Sequence, residues 1–177
     1  MRRWVAMFSH TGSEIVNISK ALNRSPDLII TNKLPGDGTR HKDIKNIVYL
    51  QHKPSASHYE QYFEEDDIIT LHGWMRIIPK RICKEYDIYN LHPGLITKYP
   101  ELKGADPQSR VINQSTQYSQ IGCVLHRVIP EVDSGEVIME SSINNHYYST
   151  AAVTSALRDV AYDMWCRFIP TVLYADQ

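Results

Sequence analysis

Asn90 and His92 stand two apart in the stretch Asn90-Leu-His-Pro-Gly-Leu, directly before Pro93. At strand spacing two such side chains point the same way, and the proline fixes the backbone immediately after them. An imidazole exchanges a proton near neutral pH, and a carboxamide donates a hydrogen bond to a developing oxyanion without changing its own charge. The pair therefore suits nucleophilic attack on a carbonyl. Asp133, in Pro130-Glu-Val-Asp-Ser-Gly, follows the apolar run that contains His126. If its turn reaches across to His92, the carboxylate orients the ring and favours its charged form. Plainer readings stay open: Asn90 as a turn cap, His92 as a satisfied strand-end histidine, Asp133 as a turn aspartate, and His126 as a packed, hydrogen-bonded core residue.

Two further stretches have binding potential. Gly12 and Ser13, followed by Glu14, lie where the opening apolar run gives way to a helical pattern. Free backbone N–H groups and the helix dipole there favour an anion, although for a lone Gly-Ser turn an ordinary helix start with Ser13 or Thr11 as its cap is the preferred reading. The stretch Trp74-Met-Arg-Ile-Ile offers an apolar shelf with one guanidinium, Arg76.

The elements that must position these residues are legible as alternating patterns. Trp4 to Phe8 is a short apolar strand, followed by a Ser/Thr/Gly turn and a helix with Ile15, Ile18, Ala21 and Leu22 at helical spacing. The runs Asp27-Leu-Ile-Ile-Thr, Asn46-Ile-Val-Tyr-Leu and Asp67-Ile-Ile-Thr-Leu are further strands, with a polar helix expected over 55–65 and a short one before Asp87. The run Asp87-Ile-Tyr-Asn-Leu-His is a strand whose C-terminal end carries Asn90 and His92. That is the end at which open α/β sheets bind ligands. A loop leading into a helix over 101–117, a strand over 121–129, a turn and strand over 131–143, and a long amphipathic helix over 149–175 complete the chain. Alternation of this kind predicts an α/β fold with a mostly parallel sheet flanked by helices.

Composition sets the limits. At 177 residues, 42% hydrophobic and 22% charged, the chain reads as one domain over 1–177. Nineteen basic against twenty acidic residues give a net charge of -1, so neither nucleic acid nor an anionic membrane is called for as a partner. The three cysteines, Cys83, Cys123 and Cys166, lack metal-site spacing and a paired count, which fits a reducing compartment, the cytoplasm. No stretch approaches the roughly 20 apolar residues of a membrane span.

Taken in order, these motifs resemble the folate-dependent formyltransferase family, in particular its branch acting on glycinamide ribonucleotide. Met7-Phe-Ser-His-Thr-Gly-Ser-Glu is similar to the family's first strand and phosphate loop, and Leu71-His-Gly-Trp-Met-Arg-Ile-Ile-Pro to its Gly-Phe-Met-Arg segment. Tyr89-Asn-Leu-His-Pro-Gly resembles the catalytic strand end, and Ile121-Gly-Cys-Val-Leu-His with Pro130-Glu-Val-Asp the strand and loop that deliver an aspartate. The resemblance implies a Rossmann-like formyltransferase fold and formyl transfer from 10-formyltetrahydrofolate, as co-substrate, to a primary amine, with no metal. It implies Asn90, His92 and Asp133 as catalytic residues. Folate would lie against Met75, Arg76, Ile77, Ile78, Pro130, Glu131 and Val132, and a small phosphorylated amine against Gly12, Ser13 and Glu14. Another amine acceptor, an amino sugar nucleotide or methionyl-tRNA, and hydrolysis of the same folate remain alternatives. The sequence departs from the family on the acceptor side: Glu14 replaces a usual asparagine, His58 an arginine, Trp165 a glutamate, and the loop from Gly94 to Arg110 is rewritten.

Overall fold

The computed structural model describes residues 1–34, 42–114 and 117–175. Seven strands form one sheet in the order β3-β2-β1-β4-β5-β6-β7. They are β1 (Trp4–Phe8), β2 (Leu28–Thr31), β3 (Ile47–Tyr49), β4 (Ile68–Leu71), β5 (Asp87–His92), β6 (Gln120–Arg127) and β7 (Val137–Asn144). The first five pair in parallel; β6 and β7 join antiparallel. Helices α1 (Ser13–Leu22), α2 (Ala56–Glu60), α3 (Lys80–Glu85), α4 (Pro107–Asn113) and α5 (Thr150–Leu173) lie between and after them, with a single 3-10 turn at Pro100–Leu102.

Every residue of β1 is buried, as expected of a central parallel strand covered on both faces. Its alternation divides the interior into two cores. Trp4, Ala6 and Phe8 pack with α1 and α5 residues such as Ile15, Leu157 and Trp165. Val5 and Met7 pack with Tyr59, Phe63, Trp74 and Ile82 on the opposite face. The helix expected over 55–65 is only five residues long. Ser55 and His58 close a capping box at its start, and the amides of Tyr62 and Phe63 both turn back onto the Tyr59 carbonyl. Tyr59 and Phe63 are thereby buried rather than solvated.

The chain goes outward from β1 to β2 and β3 and then crosses to β4 on the other side of β1. That reversal opens a crevice at the C-terminal ends of β1 and β4, the place where a doubly wound sheet receives ligands. The loops after β1 and β4 are tied together there: Ser9 N–H donates to the Gly73 carbonyl at 3.1 Å, and Met75 N–H to the Ser9 hydroxyl at 2.9 Å.

Candidate active site

Asn90 pairs with His126 across the antiparallel β5–β6 ladder, and His92 with Val124. Residues directly opposite on such a ladder share a face, so β5 and β6 together project Asn90 and His126 to one side. The Asn90 carboxamide nitrogen lies 3.4 Å from His126 Nε2. Asp133 enters from the β6–β7 connection with φ 48, a left-handed conformation that aspartate tolerates better than most residues. Its carboxylate sits between the two rings, 3.3 Å from His92 Nδ1 and 3.5 Å from His126 Nε2. The Gly104 N–H donates to it at 2.8 Å.

The hydrogen bonds decide which ring nitrogens carry protons. His92 Nε2 lies 2.8 Å from the Leu102 carbonyl; a carbonyl only accepts, so Nε2–H donates. Nδ1 is then the basic position, turned toward Asp133. His126 Nδ1 lies 3.0 Å from the Arg127 carbonyl and donates likewise, while its Nε2 faces both the Asn90 carboxamide and the Asp133 carboxylate. Burial holds the His92 pKa below the ordinary histidine value, outweighing Asp133 and the Leu102 carbonyl, which both raise it. The expected charged His92 is thus corrected: the carboxylate does favour the imidazolium, but desolvation of a buried ring is the larger effect, and the ring is neutral at pH 7. For Asp133, burial alone raises the pKa, yet the His126 contact, the His92 ring and the Gly104 N–H outweigh it and keep the carboxyl below its usual range.

Two cavities flank this strand end and share Leu71. The first, about 160 Å³, is walled by apolar Leu71, Trp74, Ile77, Ile78, Val128 and Val132, with Asn90, His126 and Asp133 among its polar lining. Arg76, Pro130 and Glu131 also border it. Met75 does not: its side chain is 56% exposed, because the backbone N–H bound to Ser9 turns that residue outward, and Trp74 stands on the cavity wall instead. His92 lies behind the wall, 5% exposed, and meets the cavity through Asp133.

The second cavity, about 310 Å³, is lined by His10 to Glu14, His72, Gly73, Pro93, Gln108, Thr154 and Arg158. Gly12, at φ 70, is the N-cap residue of α1 and has no side chain to give it; the Ser13 N–H donates instead to the Thr11 hydroxyl at 3.3 Å, so of the two expected caps Thr11 contributes and Ser13 does not. Glu14 is engaged: its carboxylate takes His72 Nδ1 at 2.7 Å. His72 Nε2 in turn meets the Thr70 hydroxyl at 2.8 Å, and its ring packs against Trp165, tilted by 46° with centroids 4.8 Å apart. Trp165 is fully buried. His58 serves the α2 capping box, with Nδ1 2.7 Å from the Ser55 hydroxyl.

The formyl transferase family profile matches residues 5–169. The chain belongs to the formyl transferase family. It is 32% identical over 152 residues to the phosphoribosylglycinamide formyltransferase of Dictyostelium discoideum, covering 71% of this chain and 72% of that protein. It is 26% identical over 175 residues to the trifunctional purine biosynthetic protein adenosine-3 of Homo sapiens, covering 86% of this chain but 16% of that much longer protein. The crystal structure of phosphoribosylglycinamide formyltransferase from Anaplasma phagocytophilum superposes with a TM-score of 0.79 at 20% identity, over 97% of this chain and 86% of that one; the likeness establishes a common fold.

In this formyl transferase the structure brings together Asn90, His92 and Asp133, as expected, and adds His126, which its apolar strand context had marked as a core residue. Its position directly opposite Asn90 was hidden in the sequence, because an antiparallel register cannot be read from either strand alone. The backbone groups of Leu102 and Gly104 leave no trace in side-chain motifs at all.

Proposed function

We propose that this chain transfers the formyl group of 10-formyltetrahydrofolate to the primary amine of a small phosphorylated acceptor in the cytoplasm, glycinamide ribonucleotide being the first candidate. The observation that carries the reading is the cluster of Asn90, Asp133 and His126 in the wall of an apolar cavity, with a neutral His92 directly behind it. The relatives named above support the acceptor.

The first cavity fits a flat, largely apolar heterocycle with a polar edge: Ile77, Ile78 and Val132 offer its faces apolar contact, and Arg76 and Glu131 can meet its polar atoms. Folate bound there supplies an electrophilic formyl carbon and a leaving nitrogen. The chain's own groups do the rest. The Asn90 carboxamide donates to the oxygen that gains charge when the amine attacks. The proton released by the attacking nitrogen has an acceptor in the Asp133–His92 pair, with the carboxylate at the wall and Nδ1 3.3 Å behind it. The pair titrates as a unit and returns the proton to the departing nitrogen. With Nε2–H committed to Leu102, Nδ1 is the ring's free base.

The second cavity then receives the acceptor, with the Gly12 backbone, the Ser13 hydroxyl and Arg158 lining it for an anionic group. A second reading, a different amine acceptor, draws support from Glu14 and the buried Trp165, which occupy positions where the resemblance expects residues contacting the ribonucleotide. Absorbance of the folate during incubation with 10-formyltetrahydrofolate, with and without glycinamide ribonucleotide, tests both. Turnover only with the ribonucleotide supports the first reading; turnover with other amines alone supports the second. Turnover without any amine overturns both in favour of hydrolysis.

A further inference from the structure

The loop between β5 and α4 is organised by one side chain. Arg110, in α4, donates from Nη2 to the carbonyls of Leu102, Lys103 and Ala105 at 3.1, 2.9 and 2.9 Å. Its Nη1 donates to the Glu101 carbonyl, and Nε makes a longer contact of 3.5 Å with the Asp106 carbonyl. Among the described residues no carboxylate pairs with it in an ion pair. A guanidinium carries five N–H donors in a rigid plane, and here its hydrogen-bond partners are backbone carbonyls of the loop, those of residues 101, 102, 103, 105 and 106. The segment it gathers contains Asp106 at φ 51, a left-handed conformation that costs a residue with a Cβ, beside Gly104, which adopts φ +84 freely.

Two backbone groups of this segment are the ones that fix the reacting side chains. Leu102 gives its carbonyl both to Arg110 Nη2 and to His92 Nε2. Gly104, between two carbonyls held by the guanidinium, gives its N–H to Asp133 Oδ2 at 2.8 Å. The remaining groups bearing on His92 are Asp133 and His126 from the β6–β7 side, together with the charge of Arg110 itself, which opposes the imidazolium.

We propose that Arg110 is a positioning residue for the reaction: by clasping the carbonyls of Glu101, Leu102, Lys103 and Ala105 it holds Leu102 O and Gly104 N–H where they set the His92 tautomer and the Asp133 rotamer. The assignment rests on the reading of His92 and Asp133 as the proton-handling pair. Arg110 touches neither substrate nor the reacting atoms. It acts through the loop, so its removal changes catalysis without removing a binding contact to folate.

Arg110→Ala tests this with two readouts. In steady-state turnover of 10-formyltetrahydrofolate with glycinamide ribonucleotide, kcat falls on the order of 100-fold, the scale of a misplacement of about 1 Å, while the folate KM stays near the parent value. In nitrogen NMR of the folded protein without substrate, the single Nε2–H tautomer of His92 gives way to a mixture of both tautomers. Unchanged kcat and an unchanged tautomer overturn the proposal. If the alanine variant does not fold, Arg110→Lys carries the test: it keeps charge and stem but loses the planar fork, and parental kcat with one His92 tautomer again overturns it. The NMR readout needs no acceptor. A parent protein inactive with glycinamide ribonucleotide therefore refutes the functional reading and leaves the positioning proposal decided by the tautomer.

Discussion

Replacing Asp133 with asparagine removes one charge and almost no volume. Oδ1 of the asparagine still accepts from Gly104 N–H, which lies 2.8 Å from the present carboxylate, so the turn keeps its anchor. What disappears is the attraction between the carboxylate and the imidazolium that forms when His92 takes a proton across 3.3 Å. At an effective dielectric of about 20 that attraction amounts to roughly 5 kcal/mol. With about 1.4 kcal/mol per tenfold in rate, kcat drops by roughly 10³ to 10⁴. The pH profile moves as well. Asp133 raises the His92 pKa against the larger effect of burial, so its loss lowers that pKa further and shifts the acid limb of kcat/KM to lower pH. Steady-state folate absorbance between pH 5 and 9, on Asp133→Asn and the parent protein, measures both. A loss smaller than about tenfold across that range, or an acid limb that moves upward, refutes the assignment of Asp133 and His92 as one proton-handling pair.

Further expectations concern packing, linkage and the acceptor. A Cβ at Gly94 would lie 3.0 Å from His92 Nε2 and 3.1 Å from Pro107 Cβ, so Gly94→Ala destabilises by about 1–3 kcal/mol through overpacking and lowers kcat by tilting the ring; thermal unfolding and turnover check the two effects. Because His92 is held below its ordinary pKa in the folded state, the unfolded chain binds more protons below about pH 6.5 and stability falls as pH drops through that window. Urea midpoints of the parent are therefore more acid-sensitive there than those of His92→Gln. Trp165 fills a fully buried site against His72, and Trp165→Ala costs about 3–5 kcal/mol, measured by urea denaturation. If the acceptor is phosphorylated, Glu14→Gln lowers its KM by removing a negative charge beside Gly12 and Ser13. A raised KM assigns the carboxylate to binding a cationic group instead.

The strands were readable because a central parallel strand is apolar throughout, as in Trp4–Phe8, and because proline and glycine mark where β5 stops. Asn90 and His92 could be paired from the sequence since two-residue spacing on a strand fixes their side. The exposure of Met75 could not be read, since the contact that anchors its backbone, to the Ser9 hydroxyl, joins residues 66 apart. His126 is the packed, hydrogen-bonded residue its apolar neighbours suggested, buried with its Nδ1 on the Arg127 carbonyl; its place opposite Asn90 comes from the ladder and could not be read. The charge on His92 was misread for a different reason: a nearby carboxylate can be guessed from motifs, whereas the depth of burial that overrides it is a property of the packed fold.

The clasp made by Arg110 has an evolutionary corollary. Its acceptors are main-chain carbonyls, which every amino acid supplies alike, so the identities of Glu101, Lys103 and Ala105 are not constrained by it. All three are exposed, in the loop that leads to Gln108, which lines the second cavity. Mutation can therefore rewrite that loop and test new acceptors against it, while the histidine and aspartate behind it keep their geometry as long as one guanidinium is retained.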